Sequence, residues 1–173
     1  MELVVEFAKL ILPAAIVLYA MYLTVKSFLD KEMAQKMVDI KAQNSAAIVP
    51  TRLQAYERIT LFLERISPNN LVYRLNDSSY SAKEFHQILI SNIREEFNHN
   101  LSQQVYVSDE VWSMAKNAME DVILSINQAA QNLDDKARSI DLGRKVIDQQ
   151  MQGDTDAIGQ ALAALKSEVR QNF

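Results

Sequence analysis

The residue pair whose types and spacing most invite chemistry is Glu96 and His99, in the order Glu-x-x-His. On a helix this spacing sets a carboxylate and an imidazole on one side, as in bundles that hold two metal ions. Such a centre needs a second Glu-x-x-His and two further glutamates. The one other histidine is His86, and three residues before it stands Lys83, not a glutamate. Most of the ligand set is missing. The sequence therefore predicts no metal site, no cofactor and no catalytic residue. A metal-binding or enzymatic bundle centred on Glu96 and His99 stays as an alternative reading.

His86 and Glu96 draw interest for a second reason. Turning about 100° per residue, Phe85, Ile88, Leu89, Ile93 and Phe97 share one helical arc, and both polar residues fall inside it. They are candidate buried polar groups. Ten residues of helix hold them about 15 Å apart, too far to pair with each other. Each is expected to find an Arg, Tyr or backbone partner on another element.

Other chemistries find less. The chain has no cysteine, which removes disulfides, thiolate zinc sites and cysteine nucleophiles. It has three glycines and no Gly-rich phosphate loop. Serine, histidine and aspartate occur without the local signature of a nucleophile elbow. With 18 basic and 22 acidic residues the net charge is −4, which argues against a general nucleic-acid binder. Arg52, Arg58 and Arg65 follow the apolar start of the chain and offer a second alternative, contact with anionic lipid. Each has a glutamate nearby, so surface ion pairs are the expectation. No small-molecule substrate is indicated.

The elements that must position these residues read as helices. Residues 52–66 form the clearest amphipathic segment. Ala55, Tyr56, Ile59, Phe62, Leu63 and Ile66 face the core, and Leu61 projects from the charged face as a candidate partner contact. Ser67-Pro68-Asn69-Asn70 stops the helix. Residues 71–75 read as either extended or one helical turn. Ser81 and Glu84 form a capping box that opens a helix to about His99. Residues 101–107 are poor in helix signals. Ser108-Asp109-Glu110 starts the next helix, with Trp112, Ala115, Met119, Val122, Ile126 and Ala129 inward. A further helix is expected from Asp134 or Asp135 to Gly153, with Ala137, Ile140, Val146 and Ile147 inward. The last is expected to be capped by Asp154 or Thr155.

All of this hangs from residues 7–25, FAKLILPAAIVLYAMYLTV. A bilayer core needs about 20 helical residues, with roughly 17 tolerated. The one charge, Lys9, is near an end and can snorkel to the headgroups. Tyr19 and Tyr22 suit the opposite interface. Lys26, Lys31, Lys36 and Lys41 follow closely, against Lys9 alone before the uncharged core. The positive-inside rule then sets the N-terminus outside and the body in the cytoplasm, on an inner membrane. Leu29, Met33, Met37 and Ile40 continue one helical face as a stalk seam, a second candidate contact. Residues 44–50 break the pattern and read as a connector.

Two stretches carry a resemblance: RLQAYERITLFLERISPNN at residues 52–70 and EFNHNLSQQVYVSDEVW at residues 96–112. With the apolar start, the chain resembles an uncharacterised bacterial family of small proteins with one N-terminal membrane helix and a helical cytoplasmic body. The resemblance covers roughly residues 10–130 and implies no activity. The expected fold is all-α, one transmembrane helix followed by a soluble bundle of about four or five helices. The expected domains are an anchor at 1–25, a stalk and connector at 26–49 and a bundle at 50–173. The expected role is a non-enzymatic adaptor or subunit of an inner-membrane assembly, joined to a protein partner or to further copies of itself.

Overall fold

A computed structural model describes the backbone of every residue except 132, 135 and 153–155, and the side chains of all but these and 2–8, 10, 41–47 and 152. Among the described residues the fold is all-α. The helices are α1 (Glu2–Ile66), α2 (Pro68–Leu75), α3 (Ala82–Asn100), α4 (Asp109–Gln131), α5 (Ser139–Gln152) and α6 (Ala157–Asn172), with a 3-10 turn at Leu101–Val105 after α3. The chain divides into two compact units, Met1–Val49 and Pro50–Phe173.

The first unit is helical. Its segment Ile11–Ile40 is long and apolar enough to cross a membrane, and none of its apolar window is buried. The Thr24 hydroxyl, inside that segment, donates to the Ala20 carbonyl at 2.8 Å, one helical turn back. Helical backbone continues through 44–50, where the sequence reading has a connector. Pro50 lies in helical backbone, and the apolar periodicity lapses there without ending the helix.

The second unit holds a single apolar core. The last turns of α1 bury Ala55, Tyr56, Ile59, Phe62, Leu63 and Ile66, the arc read from the sequence. Phe85, Leu89 and Ile93 enter from α3, and Ala115, Met119, Val122, Ile126 and Ala129 from α4. α4 lies in the middle of the unit, against α3, α5 and α6, while α2 rests on α3 and α5. Burial of these faces, at about 25 cal/mol per Å², is what holds helices of this length in place.

The turns explain the boundaries. At the end of α1, Ser67 Oγ and Asn70 Nδ2 both donate to the Glu64 carbonyl, at 2.8 and 2.9 Å, one of the carbonyls a helix end leaves open. Pro68 then occupies the first turn of α2, where its missing N–H costs nothing. Residues 71–75 are thus helical. The expected capping box opens α3: Glu84 N–H donates to Ser81 Oγ, and Ser81 N–H to the Glu84 carboxylate. The Ser81 N–H and the Ser81 hydroxyl, both donating to Glu84 Oε2, hold the Glu84 carboxyl below the usual carboxylate range.

Two boundaries differ from the sequence reading. α5 starts at Ser139, not at Asp134, because the strand-like stretch before it is tied to the α2–α3 loop. Ala82 N–H donates to the Ala137 carbonyl, Ser139 N–H to the Tyr80 carbonyl, and the buried Ser139 hydroxyl to the Asp77 carbonyl. Arg138 N–H meets the Asp141 carboxylate, completing the cap. From that start Leu142 and Val146 face inward, and Ile140 is 43% exposed rather than core. α6 is capped by Asp156, whose carboxylate accepts the Gly159 N–H at 2.8 Å. The expectations for Asp135, Gly153, Asp154 and Thr155 lie outside the described residues.

Candidate functional site

The two polar residues inside the α3 arc are half-buried and partnered across helices. His86 Nε2 is 2.8 Å from Asn127 Oδ1 on α4, within hydrogen-bond distance. Glu96 Oε1 is 2.6 Å from Arg65 Nη2 on α1. Each therefore ties α3 to a neighbour. His99 is exposed, one turn from Glu96. Among the described residues no three His, Cys, Asp or Glu side chains converge as a metal site would require. The Glu96 carboxylate faces a guanidinium instead of a second acid.

The three arginines separate. Arg65 holds Glu96. Arg58 is exposed. Arg52 is the hub of a cluster the sequence reading did not see. Its Nε donates to the Tyr106 carbonyl at 3.2 Å and its Nη2 to the Tyr56 hydroxyl at 2.9 Å. The Tyr56 hydroxyl donates to Glu168 Oε1 at 2.8 Å. Ser108 brings its N–H, 3.1 Å from Oε1, and its hydroxyl to the same carboxylate. Phe173 stands edge-on to the Tyr56 ring at 6.2 Å. Burial, reinforced by the hydrogen bond to the Glu168 carboxylate, raises the Tyr56 hydroxyl above the ordinary tyrosine value.

A serine beside a carboxylate invites a nucleophilic reading, but Ser108 Oγ also accepts the Val111 N–H at 3.2 Å. It is the N-cap of α4, donating to Glu168 and accepting from Val111 as a cap does. Tyr56 was legible as a core residue. Nothing in the sequence near it points to Glu168, which lies at the other end of the chain.

The exposed apolar residues are of two sorts. Leu29, Met33, Met37 and Ile40 are all more than half exposed in the first unit. In the second unit Leu61 is 52% exposed, on the face of α1 opposite its core arc. Along the α3–α4 surface run two adjoining depressions of about 380 and 470 Å³, which share Arg94, Asn98 and Ile123. Phe97 lines the first, tilted on Phe62 and stacked on Trp112. His86 lines the second.

These features define a class: an all-α protein whose first helix carries an exposed apolar segment of spanning length and whose second unit is a helical bundle, with no cluster of three metal-ligating side chains among the described residues. Within it, the chain belongs to a family of unknown function, DUF7935, whose model matches residues 2–172. The match extends over the residues of both α5 and α6. No curated protein and no solved structure matches the chain.

Proposed function

We propose that the protein is a membrane-anchored, non-enzymatic adaptor or subunit of an inner-membrane assembly, acting through helix-mediated contacts. The observation that carries this reading is the exposed apolar run of α1. Apolar side chains continue past Val25 through Leu29, Met33, Met37 and Ile40, all exposed. Lys26, Asp30, Lys31 and Glu32 interrupt them, and charges at that density do not sit in hydrocarbon. The seam therefore meets water unless another helix covers it, and an apolar stripe in water is a contact surface. Leu61 offers a second contact on the bundle. The body is placed in the cytoplasm and the N-terminus outside, on the lysine count either side of the apolar core.

The test is purification of the tagged protein from its own cells in mild detergent, followed by native mass spectrometry. A stoichiometric protein partner, lost on replacing Met33 and Met37 by glutamate, is the expected result. A homo-oligomer lost by the same change would make the assembly one of further copies. A monomer that carries a metal or small molecule would overturn the reading and return attention to Glu96 and His99.

A further inference from the structure

We infer that the last two turns of α6 form a clasp that opens as a unit while the core of the bundle stays closed. This stands independently of the role proposed above. The argument is a contrast along one helix. Up to Leu165, α6 is held by apolar burial, through Ile158, Ala161 and Leu165. Beyond Leu165 no residue is buried, and Val169 is half-buried. Apart from Val169 against the edge of the core, what holds residues 166–173 is polar and aromatic, and it converges on one carboxylate.

Glu168 takes the Tyr56 hydroxyl, the Ser108 N–H and the Ser108 hydroxyl, with Arg52 Nη2 at 3.8 Å. Asn172 Nδ2 closes the same turn, donating to the Glu168 carbonyl at 3.0 Å. The Arg52 guanidinium carbon lies 5.8 Å from the Tyr56 ring centroid and 6.0 Å from that of Phe173. Three distant segments thus meet: the start of the second unit's share of α1, the turn before α4, and the chain's last residues. Hydrogen bonds to one charged group are lost together when that group leaves. The apolar contacts of Ile158, Ala161 and Leu165 do not depend on it. Opening at Glu168 therefore costs less than global unfolding, which is the condition for a separate cooperative unit. It uncovers the Tyr56 ring and the Arg52 guanidinium together, while Ser108 keeps its cap on Val111.

Hydrogen exchange followed by mass spectrometry, on the full chain in mild detergent, reads this directly. Glu168→Gln keeps the shape and removes the charge. Exchange at 166–173 and around Tyr106 and Ser108 is expected to accelerate roughly tenfold, with the amides of Phe85, Leu89 and Ile93 unchanged. Phe173→Ala, which spares the carboxylate, is expected to give the same pattern with smaller amplitude. Equal acceleration in all three regions would mean that the end of α6 opens only with the whole bundle, and would overturn the inference. So would a Glu168→Gln chain that fails to fold. Unchanged exchange in both variants would show that Glu168 and Phe173 hold nothing, and would overturn it as well.

Discussion

Tyr56 shows how much of a residue's role its neighbours in sequence reveal. Its place in an apolar arc marks the ring as core. Its hydroxyl has to find an acceptor there, and the acceptor lies 112 positions away. Burial and the bond to Glu168 raise its pKa, so the folded state holds the phenol proton more tightly than the unfolded chain does. That contribution to stability is complete below the ordinary tyrosine value of about 10 and is lost as pH rises through the raised folded value. In an alkaline titration followed by tyrosinate absorbance, a tyrosine that ionises above the ordinary value is expected, and it is expected to vanish from the curve in Tyr56→Phe. A late tyrosine that survives Tyr56→Phe would assign the shift elsewhere. Glu96 and His86 teach the same lesson. Their place inside the arc was readable, and both are half-buried, Glu96 on an arginine of the expected kind and His86 on an asparagine in place of the Arg, Tyr or backbone group expected. Arg65 and Asn127 were not readable as their partners, because a helix's own periodicity says nothing of which neighbour it meets.

At the scale of elements, strong periodicity was legible and weak periodicity was not. The arcs of residues 52–66, 82–100 and 109–131 decide those helices because burial of one face outweighs every local preference. The start of α5 was misread because aspartate is a good cap wherever a helix begins, and here backbone bonds to Tyr80 and Ala82 set the start instead. Two predictions belong at this scale. On α1, Leu61 and Leu63 differ by two positions and by half their exposure, 52% against none. Leu63→Ala is expected to cost about 2–5 kcal/mol in denaturant unfolding and Leu61→Ala within about 0.5 kcal/mol. A costly Leu61→Ala in the isolated monomer would remove the case for Leu61 as a contact. Between α2 and α5, a Cβ at Gly143 would lie 2.9 Å from Val72 Cγ1. Gly→Ala in a helix gains about 1 kcal/mol from propensity, but overpacking costs about 1–3 kcal/mol. Gly143→Ala is thus expected to be neutral to destabilising on its own and less so in a Val72→Ala background. An unchanged difference in that background would mean that Val72 is not the obstacle.

At the scale of the whole molecule, the proposed orientation rests on charge. Lysines at 26, 31, 36 and 41 follow the apolar core, and acidic residues among them count little in the rule that retains the positive flank inside. The effect acts within about 15–20 residues of the span, which all four satisfy. The absence of native cysteine makes the consequence measurable. Single cysteines at Glu2 and Lys83 report the two sides, and Lys83 is exposed, on the outer face of the first turn of α3, so that replacement leaves the core and the Glu168 cluster untouched. In intact cells an impermeant thiol reagent is expected to label the Glu2→Cys chain alone, and the Lys83→Cys chain only after permeabilisation. Labelling of Lys83→Cys in intact cells would reverse the topology and make the bundle a periplasmic domain. The partner sought by native mass spectrometry would then lie on the outer side of the membrane, and the exposed seam of Leu29, Met33, Met37 and Ile40 would remain the proposed surface for it.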